Sequence, residues 1–315
     1  MPSTALGPHV VGSRIVVRRL VPGRKGPTGG PAFTDVLGVC TSWADGLCVV
    51  QPASGAPVAV PIELIVSGKP VPPRPSVRLR VSARQAESHA GPIWPGVERI
   101  GLGEWELRTD RDYDPAAAGD GARRLIKRAN SCLALGDPGL DLSLAAQRVQ
   151  AFYAERGRPA LAQVELDSPT EAALRALGWT PIEGADAHLA LASVSRALRL
   201  AGVRRQPAAP LSVAVDGPRV VITAGPAGEV WGTGEAALDG DWLGIHQLAV
   251  SPDHRRRGVA WTLMAALLEW GAEQGARTAW LHVETENTGA FDLYERLGFS
   301  HHHTLRYLGA PDFSA

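Results

Sequence analysis

Helix-ending glycines and a strand valine recur in this chain at a nearly constant spacing. Gly157 and Gly275 stand 118 residues apart, Val164 and Val283 stand 119 apart, and Gly178 and Gly298 stand 120 apart. In the later copy, Ala265 to Glu273 reads as a helix ended at Gly275, a strand runs to Val283, and Leu293 to Phe299 closes a second helix. In the earlier copy, Ala146 to Arg156 reads as a helix ended at Gly157, Leu161 to Glu165 as a strand, and Ala172 to Trp179 as the end of a second helix. Glycine ends many helices, but three landmarks in register across helix, strand and helix predict duplication of one α/β unit. The copies diverge in one place. Ser251-Pro-Asp-His-Arg-Arg-Arg-Gly-Val-Ala260 in the later copy faces Leu135-Gly-Asp-Pro-Gly-Leu-Asp-Leu142 in the earlier one, which has no arginine and two acidic residues.

That divergent turn follows a predicted strand, Ile245 to Val250, and opens a predicted helix. The first N–H groups of a helix have no intrahelical partner and sit at the positive end of its dipole, so anions bind there. In the pattern R-x-x-G-x-A, Gly258 lets an anion approach the backbone closely, Ala260 keeps the first turn uncrowded, and Arg255, Arg256 and Arg257 add positive charge. Taken alone the pattern also reads as an ordinary helix start. Leu263, Leu267 and Trp270, with Met264 and Leu268 beside them, follow at helical spacing and are expected to pack on a sheet. The acidic counterpart in the earlier copy would repel a pyrophosphate, so that copy is read as a structural or substrate-binding half.

Before the duplicated region, Val11 to Arg18, Thr34 to Cys40, Leu47 to Val50 and Ala56 to Val60 read as short strands. Ala44-Asp-Gly46 and Ser54-Gly55 supply turns. Short strands with such turns predict a small SH3-like β-barrel over residues 1–75, closed by the stiff segment Lys69-Pro-Val-Pro-Pro-Arg-Pro75. The module reads either as a binding module or as a docking domain. With 32 basic and 32 acidic residues the formal net charge is zero, which argues against duplex nucleic acid or an anionic membrane as partner. No basic segment followed by an apolar core opens the sequence, and no apolar run reaches membrane-span length. Cys40, Cys48 and Cys132 have no metal-ligand spacing and read as reduced thiols, with a Cys40–Cys48 bridge as the alternative. A cytoplasmic location is expected from these features. Consecutive residues on a strand alternate faces, so His301, His302 and His303 are not expected to converge on one ion, and no metal site is expected. Asn130 and Ser131 read either as acceptor-binding residues or as locally satisfied polar groups.

Gln247-Leu-Ala-Val250, the arginine-glycine turn, the helix, Trp280-Leu-His-Val283, Asn287 and Tyr294 to Gly298-Phe299 succeed one another in an order that resembles the GNAT superfamily of acyl-CoA N-acyltransferases. The resemblance spans Leu211 to Leu308 and, more weakly, Gly103 to Val194. The layout is similar to an actinobacterial group with an SH3-like N-terminal domain and tandem GNAT units. It implies an α/β chain with the α+β GNAT fold and a mixed central sheet, a degenerate GNAT-like half over 76–195 and a catalytic GNAT domain over 196–315. It also implies acetyl-CoA as acyl donor and a primary amine, on a small molecule or on a protein lysine or N-terminus, as acceptor. The alternative is a non-catalytic acyl-CoA-binding regulator. Oligomeric state is open.

Carried onto this sequence, the resemblance gives the pantetheine arm to the backbone of Leu248, Ala249 and Val250. The pyrophosphate falls to the turn Arg255, Arg256, Arg257, Gly258, Val259 and Ala260. Asn287 would touch the pantetheine, or cap a helix, or both; Phe291 would line the groove or pack in the core. Tyr294 would be the acid that protonates the departing thiolate, with packing on the sheet as its other reading. Many relatives carry a glutamate early in the strand before the turn, but here that position is near Gly244. His246 is then a candidate base, counted by period two onto the face of Leu248 and Val250, with a buried, backbone-bonded histidine as the alternative. Glu284 is a second candidate and Glu235 a third.

Overall fold

The computed structural model describes residues 6–25, 29–52, 55–71, 77–110, 127–203 and 209–311, and the chain divides into two compact units, Met1–Ser76 and Val77–Ala315. In the smaller unit five strands form one antiparallel sheet. They are β1 (Arg14–Lys25), β2 (Pro31–Ala44), β3 (Leu47–Gln51), β4 (Val58–Pro61) and β5 (Ile65–Pro70), in the order β4-β3-β2-β1-β5. Alternation puts Ile15, Val17, Val36, Cys40, Cys48, Val50 and Val60 on one buried face. Asp45 and Gly46 take φ of 52° and 74°, the backbone that a two-residue hairpin loop requires. A 3₁₀ turn, Ile62–Leu64, joins β4 to β5. No ladder joins β4 to β5 among the described residues, so a closed barrel is not seen. β5 takes up Lys69 and Pro70, which the sequence pattern alone assigns to a linker. It is an edge strand paired only with β1, where a proline is tolerated. Most of the rest of that proline-rich segment lies outside the described residues.

The larger unit is an α+β structure on one mixed twelve-stranded sheet. After α1 (Ala83–Ser88), the earlier half contributes β6 (Val97–Leu102), β7 (Trp105–Asp110), β8 (Cys132–Leu133), α2 (Leu142–Ala154), β9 (Leu161–Glu165), α3 (Pro169–Ala176), β10 (Thr180–Pro181) and β11 (Ala187–Ser193). The segment from Arg128 to Cys132 is a 3₁₀ turn entering the two-residue β8, not a full strand, because Asn130 turns its side chain back onto the Asp110 amide. The later half contributes α4 (Val194–Val203), β12 (Leu211–Asp216), β13 (Arg219–Ala224), β14 (Gly232–Asp239), β15 (Trp242–Val250), α5 (Val259–Glu273), β16 (Thr278–Glu284), α6 (Thr288–Arg296) and β17 (Ser300–Gly309).

Sheet order is β12-β13-β14-β15-β16-β11-β17-β9-β8-β7-β6, with β10 paired to β17. The last strand of each half therefore lies against the other half: β11 beside β16, and β17 beside β9. The register carries a two-fold pattern. At the centre Ala187 pairs with Leu305, 118 residues away. On the outer sides Ala187 pairs with Glu284 and Leu305 with Glu165, and those two partners stand 119 apart. The parallel pairs β15–β16 and β8–β9 occupy matching places. Helix ends repeat too. Ser168 and Asn287 each cap a helix by accepting an N–H three residues on, and Gly178 and Gly298 end those helices at φ of 88° and 84°.

One core lies between the later half's sheet and its helices, with Leu243, Ile245, Leu281 and Val283 meeting Leu263, Met264, Leu267 and Leu268 of α5. The opposite face is covered by α1 and the turn after it, where Ala86, Ala90 and Ile93 pack on Leu189, Leu191, Ala237 and Trp280. Two irregularities break the run of β15. Its parallel ladder with β16 stops at Ile245↔Leu281, after which β16 continues only along β11. Gln247, at φ 51°, sits where the β14 register shifts, a β-bulge that reverses the alternation. Leu243 and Ile245 face α5, and so do Leu248 and Val250 after the bulge. His246 consequently faces the opposite side from Leu248 and Val250, which corrects the period-two count.

Gly244 is the other constraint on this strand. A Cβ built there would lie 2.6 Å from Trp280 Cζ2 and 2.8 Å from Ile93 Cδ1, so the space of any side chain is already filled. We expect Gly244→Ala to destabilise the larger unit by about 1–3 kcal/mol through overpacking. Thermal and urea denaturation measure this, and a variant as stable as the parent would show that Trp280 is free to move.

Candidate functional site

The turn between β15 and α5 is built around two left-handed residues, Arg256 at φ 59° and Gly258 at φ 84°. Gly258 is the N-cap of α5 and supplies no side-chain cap, so the first amides of the helix have no side chain seated on them. The counterpart helix α2 differs. Asp141 caps it with its own carboxylate, accepting the Ser143 amide at 2.9 Å, and Asp137 accepts the Gly139 amide at 2.8 Å in the turn before it. One helix end is filled by fixed negative charge and the other is left open to an anion.

A cavity of about 370 Å³ opens at the α5 end, lined by Val250, His254, Arg255, Arg256, Gly258, Val259, Ala260, Trp261, Gly289, Leu293 and Arg296. The Arg255 guanidinium is anchored by donating to the Val250 carbonyl at 3.2 Å. His254 is fixed by Ser251 Oγ at 2.8 Å and by stacking on Trp231. Amides, two turn arginines and Arg296 give this cavity the donor set of a phosphate site. Arg296, in the last turn of α6, carries no sequence signal of its own, because nothing in its local pattern says that α6 ends beside this turn. Arg257 is exposed and outside the lining. Leu248 and Ala249 lead into the cavity on the strand stretch that has lost its β16 neighbour; Thr233↔Ala249 and Gly232↔Val250 pair them on the β14 side only.

Asn287 caps α6 through Oδ1, accepting the Ala290 amide at 3.2 Å. Phe291 packs against the main core, with its ring 5.4 Å from His188. Tyr294 is buried in that core beside Phe299, and burial raises its phenol above the ordinary value. Its counterpart in the earlier half is Leu174, 120 residues before it and also buried. Glu284 is exposed at the end of β16 and lines neither cavity.

A second, narrower cavity of about 70 Å³ lies on the other face of β15 and joins residues of both halves. His246 lines it with Glu87, Trp94, Arg108, Arg128, Gln163 and His282. Both ring nitrogens of His246 are buried without a hydrogen bond. Glu235 Oε2 is 3.8 Å from Nε2, too long for a direct bond but within reach through one water. Burial, and then the nearby Arg219 charge, lower the imidazole to about 4, so it is neutral at neutral pH. Glu87 comes from α1 and is 2% exposed. It accepts from His282 Nε2 at 2.7 Å and lies 3.3 Å from His303 Nε2. Burial by itself would raise its carboxyl, but the two imidazoles outweigh that and hold it well below the usual range, ionised.

The histidine run disperses. His301 bonds Thr304 Oγ1, His302 bonds the Val81 carbonyl, and His303 turns to Glu87. No group of three or more metal-ligating side chains occurs among the described residues. Asn130 Oδ1 is held by the Asp110 amide and by Arg158, and Ser131 positions Arg108 through its carbonyl and hydroxyl oxygens. Cys40, Cys48 and Cys132 are free and buried, and burial pushes the Cys132 thiol up to about 12. Among the described residues no helix is long and apolar enough to cross a membrane. Glu87 is absent from the sequence-based candidates although a signal exists: it shares the helical spacing of Ala83, Ala86 and Ala90, placing a carboxylate on the apolar stripe of α1.

Residues 200–299 match the sequence profile of the Acetyltransferase (GNAT) family. An uncharacterised N-acetyltransferase of Methanocaldococcus jannaschii is 36% identical over 75 residues, 21% of this chain and 33% of that protein. The chain thus spans about a third of that relative's length. A probable histone acetyltransferase of Mycobacterium tuberculosis is 28% identical over 333 aligned positions, 95% of each chain. Among solved structures, a GCN5-related N-acetyltransferase from Kribbella flavida aligns with a TM-score of 0.58 at 17% identity, covering 74% of this chain and 97% of that one. Residues 200–299 are thus similar in sequence to the GNAT acetyltransferases, within a chain that shares the fold of a GCN5-related N-acetyltransferase.

Proposed function

We propose that the chain is an N-acetyltransferase that moves the acetyl group of acetyl-CoA to a primary amine by direct attack in a ternary complex. The observation that carries this is the uncapped, arginine-flanked start of α5, set at the end of a strand stretch that has no β16 neighbour. The pyrophosphate is held by the amides from Arg256 to Ala260 with Arg255 and Arg296 at the rim. The pantetheine arm runs along Leu248, Ala249 and Val250 as an added strand. That brings the thioester to the bulge, where the two faces of β15 exchange sides and the narrower cavity opens.

The attacking amine must be neutral. His246, neutral and lining the narrower cavity, takes its proton, with Glu235 behind it through water. A backbone amide of the splayed strand, at or beside Val250, stabilises the tetrahedral oxyanion. Tyr294 gives its proton to the leaving thiolate; its raised pKa keeps it protonated until then. Glu284 remains the alternative base, although it is exposed and outside the cavity.

The earlier half, 76–195, is assigned to shaping the acceptor site and 196–315 to acetyl-CoA. The smaller unit is assigned as an SH3-like module, supported by its strand order and by the 3₁₀ turn before its last strand. Three free, buried cysteines fit a reducing, cytoplasmic setting.

Three outcomes are expected. Gly258→Asp imitates the carboxylate that caps α2 and uses a residue that tolerates left-handed backbone. It weakens acetyl-CoA binding by calorimetry at least about tenfold while thermal stability is largely kept; an undiminished affinity would move the phosphate site elsewhere. Tyr294→Phe lowers kcat roughly 100-fold and leaves the acetyl-CoA Kd unchanged, and an unaltered turnover removes Tyr294 from acid catalysis. The imidazole must be neutral to accept a proton, and its pKa is depressed. With a weakly basic aromatic amine, the acidic limb of kcat/KM therefore falls as pH drops through about 4, well below the ordinary imidazole value. That limb disappears in His246→Ala; a limb near 6.5 in both proteins assigns the base to another group.

A further inference from the structure

The narrower cavity is dipolar, and its polarity specifies a chemical class of acceptor. At its earlier-half wall stand Arg108, Arg128 and Gln163. Arg108 is 3% exposed and has no carboxylate partner among the described residues. Its Nε and Nη2 are spent on the Ser131 carbonyl, Ser131 Oγ and Gln163 Oε1 at 3.2, 3.1 and 2.7 Å, which fixes the guanidinium plane. Because Gln163 Oε1 accepts from Arg108, its amide cannot be flipped, and Nε2 is left as a buried donor without an acceptor. Arg128 Nε is a buried donor without an acceptor as well. Buried donors are almost always satisfied in a native structure. Here Arg128 and Gln163, beside the fixed Arg108 guanidinium, present unsatisfied N–H groups at one small cavity.

The opposite wall has the complementary character. Glu87 is ionised and lines the same cavity beside His246, which is neutral and has no hydrogen-bond partner. At about 70 Å³ the cavity has room for the head of a small molecule and not for a long side chain.

We infer that the acceptor is a small zwitterion of the amino-acid type, with its carboxylate on Arg108, Arg128 and Gln163 and its amine between Glu87 and His246. This rests on the acetyl-transfer reading and narrows it. The zwitterion's ammonium first gives up one proton to solvent and the neutral nitrogen adds to the thioester carbonyl; as the tetrahedral intermediate collapses the C–S bond breaks, the nitrogen's surplus proton passes to His246, and Tyr294 protonates the departing thiolate to the thiol.

The test uses the full-length protein and the proteinogenic α-amino acids in three forms: free acid, carboxamide and decarboxylated amine. Thiol release from acetyl-CoA and calorimetric binding in the presence of CoA are both read. At least one free acid should bind and react roughly 10- to 100-fold better than its carboxamide and its decarboxylated form. That preference should vanish in Arg128→Gln, whose side chain is only partly buried. Arg108→Lys, which keeps the charge and loses the fork, should reduce it. Inorganic phosphate should compete with the free acid only weakly, since one planar fork and one amide suit a carboxylate; phosphate binding that excludes every amino acid overturns the assignment. It is likewise overturned if amides or decarboxylated amines bind and react as well as the acids, or if no free acid binds. Acetyl-CoA calorimetry on the same samples separates the two readings. Retained acetyl-CoA binding without a carboxylate preference rejects only the zwitterion, whereas absent acetyl-CoA binding rejects the acetyltransferase.

Discussion

The larger unit depends on the ladder between β11 and β17. Each of these strands ends one half of the duplicated region, and each lies between its counterpart and a strand of the other half. Ala187↔Leu305 is the pair about which the pattern turns. Because both strands are largely buried in the middle of a twelve-stranded sheet, neither half has a complete sheet without the other's last strand. Sheet edges with unpaired backbone groups are a liability, and reciprocal exchange covers the edge that each half would otherwise expose.

Within that frame the site arises from two local departures. The parallel contact between β15 and β16 is abandoned after Ile245, and a bulge at Gln247 sends the strand's alternation to the other face. The first opens backbone beside the start of α5. The second returns Leu248 and Val250 to the α5 core and leaves His246 alone on the opposite face, toward the residues of the earlier half. Gly244 belongs to the same arrangement: Trp280 and Ile93 fill the space that a side chain there would need. The buried carboxylate on this face is instead Glu87, from α1, held by histidines of β16 and β17.

Much of this was legible in residues. The 118- to 120-residue spacing anticipated the repeat of helix ends and strand register, because caps and buried strands impose their own residue types locally. The arginine-glycine turn announced an open helix N-terminus, and the acidic turn in the earlier half announced a closed one. What stayed hidden was non-local. Period-two counting fails at a bulge, and nothing in Ile245 to Val250 announces that Gln247 adopts left-handed backbone. Arg108, Gln163 and Arg128 look like ordinary strand and turn residues until β7, β8 and β9 are brought beside β15's far face. β5 was hidden for a simpler reason: its proline reads as a terminator unless the strand is known to be an edge.

The position of β17 has a consequence for how the molecule is made. It is the last strand of the sheet to be synthesised, yet it occupies the sheet's centre, between β11 and β9. Until it emerges, β9 and β11 present apolar faces and free edges with no native partner, and the earlier half waits more than a hundred residues for the strand that completes it. Pairings of such long sequence separation form slowly and leave the chain open to wrong partners meanwhile. Completion of the sheet is thus postponed until β17 has been made, and the cavity shared by the two halves comes into being only after that.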